Sequence, residues 1–462
     1  MICTRDRKNE GGAAFCFCLT APSRVLRLTL DRLSDDWQAR YGHPVLVVEI
    51  IPNSKHPFMN TRWSRKWWLV LWLQSWRRIP YHRPMPADCQ AKYEWLRSGR
   101  DAFAAMLADI AAARDTVLLE TYIYADQGVG VRVRDALVAA RQRGVRVRVL
   151  VDAWGSSELK DEFWTPLRTA GAEVRYFNPL KLARLGFRDH RKVLVCDGRV
   201  GCVGGFNVAP EYDGDGVQQG WCDHGLRLTG PLVAELVSEF DAMFARAEMR
   251  HPLFARLRKT GVRKRVQYPD GQLLLSGPGR GRNPFVAALH ADLRQAEEIR
   301  IVTAYFLPSW RVRHSLTRAA HRGAKVQLLL AGISDVPIVQ LAARSLYHRL
   351  LRAGVEIYEY QPQVLHAKLL VCNQAAYVGS ANLDPRSLHI NYELMLRLTV
   401  PSAIADARQM FLDDLQHAKP VILDEFRHTR TLWTKLRERW AYFLVARLDP
   451  FITRRLLSTF GA

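Results

Sequence analysis

The chain has 462 residues, about three times a ~150-residue domain, so two or three domains are expected. Hydrophobic residues make up 48% and charged residues 24%, a balance that excludes a disordered chain and requires a large core. The formal charge of +22 favours an anionic partner: nucleic acid, a phosphorylated substrate or an anionic membrane surface.

Eight cysteines over this length exclude a disulfide-dense scaffold. Only Cys16 and Cys18 sit close together, and no CxxC or Cys/His ligand spacing appears, so reduced thiols and no structural zinc are expected. No run reaches the ~18 consecutive apolar residues of a spanning helix. The nearest are residues 67–73, flanked by Arg65-Lys66 and Arg77-Arg78, and residues 13–21, preceded by Arg5, Arg7 and Lys8. Asp6 and Glu10 dilute the basic stretch and Gly11-Gly12 open the apolar one, so the second run is not read as a cleaved leader. Residues 1–80 match nothing else in the chain. They are taken as an extension from a gene fusion or an early start site, with no function assigned.

From residue 81 the chain repeats itself. Phe103, Met106, Leu107 and Ile110 lie at helical spacing, and a strand follows over 116–122. A second amphipathic helix runs through Val133, Leu137 and Ala140 and closes at Gly144, before a strand over 145–151. The second copy places strands at 299–305 and 324–330, with a helix ending at Gly323 between them. Strands alternating with helices predict an α/β architecture of two similar lobes, with mixed, mostly parallel sheets flanked by helices. A pseudo-twofold relation between the lobes would put a shared site at their interface. The expected boundaries are 81–250 for the first lobe, 251–272 for a basic linker, 273–417 for the second lobe and 418–462 for a basic amphipathic tail.

Each copy then presents a hairpin. The first reads His190-Arg191-Lys192 through Asp197 and on to Gly204-Gly205-Phe206-Asn207; the second reads His366-Ala367-Lys368 through Asn373 and on to Gly379-Ser380-Ala381-Asn382. On a strand, residues i and i+2 share a face, so each hairpin sets an imidazole beside a fixed cation. A single His-x-Lys is commonplace. Two at matching repeat positions, each followed by a glycine-rich turn and Asn, point to chemistry. Two histidines and two lysines suit a phosphodiester, with the lysines neutralising the non-bridging oxygens. One imidazole attacks phosphorus while the other protonates the leaving oxygen, so no metal or other cofactor is required. Asn207, Asn382 and Ser380 are expected to donate further hydrogen bonds to the phosphate. Asp197 and Asn373 have the opposite strand parity to the His and Lys, so they are read as turn or buttress residues.

This constellation resembles the phospholipase D superfamily, whose signature is HxKxxxxD followed by a GSxN-like turn. Leu119-Glu120-Thr121-Tyr122-Ile123 and Phe177-Asn178-Pro179-Leu180 look like the first half of bacterial cardiolipin synthases of the type without spanning helices. Tyr305-Phe306, Ser334-Asp335 and the run from Gly379 through Asn382 to Ser387 look like the second. The resemblance covers about residues 85–460. It implies that His190 is the nucleophile and His366 the general acid, with Lys192, Lys368, Asn207 and Asn382 holding the phosphate. It also implies that Glu393 orients a histidine, with Asp223 its weaker counterpart. The sequence departs from the pattern at Asn373, where the family has Asp, and the second hairpin is one residue shorter than the first.

Near the C-terminus Leu432, Trp433, Leu436, Trp440, Phe443 and Leu444 recur at helical spacing among Lys435, Arg437, Arg439, Arg447, Arg454 and Arg455. Such a helix suits an anionic leaflet, at about 1 kcal/mol per basic residue near the surface; Trp67, Trp68 and Trp72 would make a second contact. The resulting expectation is phosphatidyl transfer between two phosphatidylglycerol molecules, by a peripheral enzyme on the cytoplasmic face of the cell membrane. Hydrolytic phospholipase D activity, a nucleic-acid phosphodiesterase and a non-catalytic lipid-binding protein are the alternatives. Nucleic acid is not the expected partner, and the oligomeric state is not read from the sequence.

Overall fold

The computed structural model describes residues 91–179, 187–248, 263–278 and 282–448, with four two-residue strands nearer the N-terminus. The chain divides into two compact units, Met1–Arg78 and Ile79–Ala462. In the first, Thr20–Ala21 pairs with Arg24–Val25 and Arg27–Leu28 with Val48–Glu49. The tryptophans at 67, 68 and 72, the Cys16/Cys18 pair and residues 449–462 with Arg454 and Arg455 lie outside the described residues.

The second unit contains both repeats. The first lobe has strands β1 (Tyr93–Leu96), β2 (Thr116–Thr121), β3 (Arg146–Asp152), β4 (Glu173–Phe177), β5 (Val193–Cys196), β6 (Val200–Gly204) and β7 (Gly225–Thr229). They form one sheet in the order β1-β7-β6-β5-β2-β3-β4. Its helices are α1 (Gly99–Ala112), α2 (Val129–Gln142), α3 (Thr165–Thr169) and α4 (Leu232–Glu248). The α1 helix starts where Ser98 accepts the amide of Asp101, and it buries Ala102, Phe103, Met106 and Ile110, one face at helical spacing.

The second lobe has β8 (Lys264–Tyr268), β9 (Gly271–Ser276), β10 (Glu298–Thr303), β11 (Lys325–Ala331), β12 (Glu356–Tyr360), β13 (Lys368–Cys372), β14 (Ala375–Gly379), β15 (Glu393–Leu398) and β16 (Ala418–Pro420). Their order, β8-β9-β15-β14-β13-β10-β11-β12-β16, repeats that of the first sheet and adds one strand at each edge. Its helices are α5 (Pro284–Gln295), α6 (Trp310–His321), α7 (Pro337–Arg352), α8 (Pro385–His389), α9 (Pro401–Leu415), α10 (Leu423–His428) and α11 (Leu432–Phe443).

Both sheets are mixed, but parallel pairing is confined to β2-β3-β4 and β10-β11-β12. This corrects the expectation of mostly parallel strands. Parallel neighbours need a crossover, which the helices between these strands supply, whereas each histidine-bearing segment enters a tight antiparallel hairpin. Two boundaries also move. Residues 264–272, expected in the linker, build β8 and the start of β9, and residues 418–420 of the expected tail pair as β16 with β12.

The layers follow from burial. Helices α1 and α2 cover the outer face of the first sheet, and α5, α6 and α7 that of the second. Between the sheets, α4 and α9 share one core with Leu118, Val195 and Val203 from the first lobe and Leu275, Leu369 and Val378 from the second. The indole of Trp95 donates to the Ala403 carbonyl at 3.1 Å, tying β1 to α9. The strand ends that carry the histidines therefore meet across a packed interface.

Candidate active site

His190, Arg191 and Lys192 precede β5 rather than lying within it, and His366 and Ala367 likewise precede β13. Each of these short segments pairs with the other lobe. Tyr392, just before β15, receives the amide of His190 at 3.0 Å and donates to Arg188 at 2.8 Å. Cys222, close before β7, receives the amide of His366 at 2.8 Å and donates to Val364 at 2.9 Å. These reciprocal parallel bridges are what an approximate twofold axis between the lobes produces.

The side chains cross in the same way. His190 Nδ1 lies 3.1 Å from Glu393 Oε2, and His366 Nδ1 lies 2.6 Å from Asp223 Oδ2. Each imidazole thus takes its carboxylate from the opposite lobe, and both carboxylates are fully buried. With Nδ1–H donated to a carboxylate, Nε2 carries the free lone pair. Among the described residues no hydrogen-bond partner meets His190 Nε2, and its side chain keeps 13% exposure. His366 is more enclosed. Its Nε2 lies 3.3 Å from the Tyr212 hydroxyl, and the rings of Tyr212 and Trp221 pack against it.

Both lysines are buried at this centre. Lys192 Nζ folds back to the His190 carbonyl at 2.8 Å and lies over the Tyr122 ring. Lys368 Nζ reaches the His366 carbonyl and sits 2.7 Å from its Nδ1 and 4.0 Å from Asp223. So many cations with little solvent are costly to hold charged. Burial pushes Lys192 down to about 7, with Glu393 opposing and Lys368 adding to the fall. Burial, then Lys368, takes His366 down to about 4 against the pull of Asp223, and burial also lowers His190 and Lys368. Burial alone would raise Asp223, but Lys368 and His366 outweigh it and hold that carboxylate below its ordinary value. An entering anion would reverse the shifts on the cations. The centre is built to receive negative charge.

Two of the three expected phosphate donors are used differently. Ser380 Oγ donates to Glu393 Oε2 at 2.5 Å and accepts the Leu394 amide at 3.0 Å, so it fixes the carboxylate of the His190 pair. Asn207 accepts the Ile123 amide at 3.0 Å and donates to Tyr212 Oη at 2.7 Å, which places the phenol beside His366. Asn382 is buried with its Oδ1 unpartnered. Asp197 and Asn373 face away from the centre as strand clamps. The Asp197 carboxylate accepts the amides of Arg114, Asp115 and Thr116 at 2.7–3.2 Å, and Asn373 Oδ1 accepts those of Glu297 and Glu298 at 3.0 and 2.8 Å. Asn373 therefore does with an amide oxygen what Asp197 does with a carboxylate.

The profile described as "Cardiolipin synthase, PLD-like domain" matches residues 106–245 and 289–415, the two lobes that hold these groups. The chain belongs to this family of the phospholipase D superfamily. Cardiolipin synthase B of Escherichia coli (strain K12) is 34% identical over 311 residues, 65% of this chain and 75% of that protein. Cardiolipin synthase 1 of Bacillus anthracis is 32% identical over 357 residues, 74% of this chain and 70% of that one. The crystal structure of phosphatidylserine synthase from Haemophilus influenzae Rd KW20 shares the fold, with a TM-score of 0.62 at 12% identity, over 78% of this chain and 94% of that one. As a cardiolipin synthase of this superfamily, the chain is a phosphatidyltransferase acting on phospholipid.

Motif reading alone passed over several groups of the synthase site. Tyr212 and Trp221 wall in His366, and only their place after the first Asn marks them in sequence. Tyr305 and Asp335, singled out in sequence only as family-like residues without a role, are hydrogen-bonded at 2.6 Å, and both lie within electrostatic reach of Tyr212. Cys222, His224 and Asp414 gather within 4.8 Å, a grouping hidden from ligand spacing because Asp414 comes from α9. Both His224 nitrogens are engaged there, Nε2 with Asp414 at 2.7 Å and Nδ1 with the Arg97 carbonyl at 3.2 Å, so the group reads as an ion pair steadying the segment of Asp223.

Proposed function

We propose that the chain makes cardiolipin from two phosphatidylglycerol molecules through a phosphohistidine on His190, releasing glycerol. The observation that carries this reading is the pair of crossed His–carboxylate dyads around two buried lysines, with Nε2 unpartnered on His190 alone. Glu393, held by Ser380, keeps His190 Nδ1 protonated and turns the Nε2 lone pair outward. Lys192 and Lys368 balance the charge that grows on the non-bridging oxygens, and the side-chain N–H groups of Asn382 donate a further hydrogen bond to them. As Nε2 bonds to phosphorus, the P–O bond to the donor's glycerol breaks, and His366 hands its proton to that oxygen. Burial and Lys368 keep His366 neutral in the resting site; the negative charge of the entering phosphate raises its proton affinity, and it takes up a proton from solvent. In the second half His366 takes the proton of the acceptor's hydroxyl, the new P–O bond forms, and the P–N bond to His190 breaks. A phosphodiester replaces a phosphodiester, so no nucleotide is consumed. The site of action is the cytoplasmic face of the cell membrane, reached as a peripheral protein; among the described residues no helix is long and apolar enough to cross a bilayer.

Purified protein is incubated with phosphatidylglycerol liposomes beside His190→Ala and His366→Ala, and products are resolved by mass spectrometry. Cardiolipin with equimolar glycerol, lost in both variants, is the expected result. Phosphatidic acid as sole product would replace transfer by hydrolysis, and no product from any phospholipid would overturn the lipid reading.

A further inference from the structure

Helix α11 and the π-helical turn that extends it, Leu444–Leu448, carry an outward face found nowhere else among the described residues. Leu432 is 85% exposed, Trp433 68% and Trp440 57%, and Leu436, Phe443, Leu444 and Leu448 continue the same exposed stripe at helical spacing. Folding has not left this face apolar for want of a core. The opposite side of the helix packs Ala441, Tyr442 and Val445 against Ala342, Val339 and Leu341 of α7.

The charges are sorted as well. Between Leu432 and Leu448 the single acidic residue, Glu438, is turned inward, buried and bonded to Arg430. Arg437, Arg439 and Arg447 remain exposed around the tryptophans, with Lys435 half-buried. An apolar stripe bordered only by cations matches an anionic lipid leaflet, in which apolar side chains enter the acyl boundary and arginines meet phosphates. It matches an acidic or neutral protein surface less well, because exposed tryptophan and leucine would then need an apolar partner patch of matching shape.

This face also borders a groove of about 670 Å³, lined by Leu307, Trp310, Leu388, Phe443 and Leu448. Pro385 lines it too, and Trp310 at its edge is itself 63% exposed.

We infer that the Leu432–Leu448 face, with Trp310 beside it, is the docking surface for an anionic phospholipid bilayer. The inference rests on the lipid-substrate reading above and adds where the bilayer lies. The test uses the full chain and vesicles of either phosphatidylcholine alone or equal parts phosphatidylcholine and phosphatidylglycerol. Trp433→Ser/Trp440→Ser/Phe443→Ser removes apolar contact at exposed positions, and Arg437→Gln/Arg439→Gln/Arg447→Gln removes charge. Each variant is expected to partition onto phosphatidylglycerol vesicles about tenfold or more less than the parent. The charge variant should also lose the preference for phosphatidylglycerol over phosphatidylcholine. Turnover of a short-chain phosphatidylglycerol below its critical micelle concentration should stay at the parental rate. Undiminished flotation of the apolar variant would overturn the inference, and so would loss of its turnover on the monomeric substrate. A parental dimer in ultracentrifugation that this variant dissociates would assign the face to self-association instead. Weakened flotation in a protein without transfer activity would remove the proposed reaction and leave the docking surface standing.

Discussion

Gly205 offers the sharpest test of the crossed-dyad arrangement. It stands where the second lobe has Ser380, yet a Cβ here would fall well inside 3.0 Å of both carboxylate oxygens of Asp223. That carboxylate has nowhere to go. It is fully buried, one oxygen accepts the His224 amide at 2.8 Å, and the other holds His366 at 2.6 Å. The shorter Asp sits close to the turn and demands glycine, whereas the longer Glu393 leaves room for Ser380 to bond it. Gly205→Ala should therefore push Asp223 off His366. A hydrogen bond to a charged group contributes about 1.5–3 kcal/mol, so kcat/KM on phosphatidylglycerol should fall about 10- to 150-fold. In an Asp223→Ala background the added methyl finds space, and Gly205→Ala should cost little more. The assay is the four-corner cycle of kcat/KM with circular dichroism to confirm folding. Parental activity in Gly205→Ala, or full additivity with Asp223→Ala, would refute the reasoning.

Four further outcomes are expected. Unfolded imidazole titrates at about 6.5 and His366 at about 4, so the unfolded chain binds the extra proton between these values. Stability then falls as pH drops through that window, by about 2 kcal/mol more from pH 7 to 5 in the parent than in His366→Gln, read from denaturant midpoints. Binding of sulfate, an anion that does not titrate near pH 7, should take up protons, because Lys192 at about 7 and His366 at about 4 both rise beside an anion; calorimetry in two buffers of different ionisation heat would show none if these groups were already fully charged. Asp197→Ala should cost about 2 kcal/mol of stability, since it frees three backbone amides and leaves alanine at a φ of 54°. Asn373→Asp should leave kcat/KM unchanged and the denaturant midpoint nearly so, and a large gain in activity would show that the Asn impairs catalysis.

The sequence discloses what is local. Repeat length, the helix stripes and the paired His-x-Lys segments are short-range patterns, and the strand parity of Asp197 and Asn373 already pointed away from the centre. Partnerships across the interface leave no such trace. Nothing in the spacing of Glu393 says that it serves His190 of the other lobe, and Ser380 looked like a phosphate donor because its carboxylate partner was invisible. The balance of parallel and antiparallel pairing was misjudged for a related reason. Helices dominate the residue count between strands, while the short hairpins after each histidine decide most of the neighbours.

The exchange of carboxylates has a consequence for how activity responds to motion and to history. One lobe by itself owns a histidine and a lysine but never the acid that aims the imidazole. Separating the lobes by a few ångströms would disarm nucleophile and proton donor in the same instant, so a half-open molecule has no half-rate. For the same reason a single unduplicated lobe would need a second copy facing it, and fusing the two into one chain makes that encounter permanent.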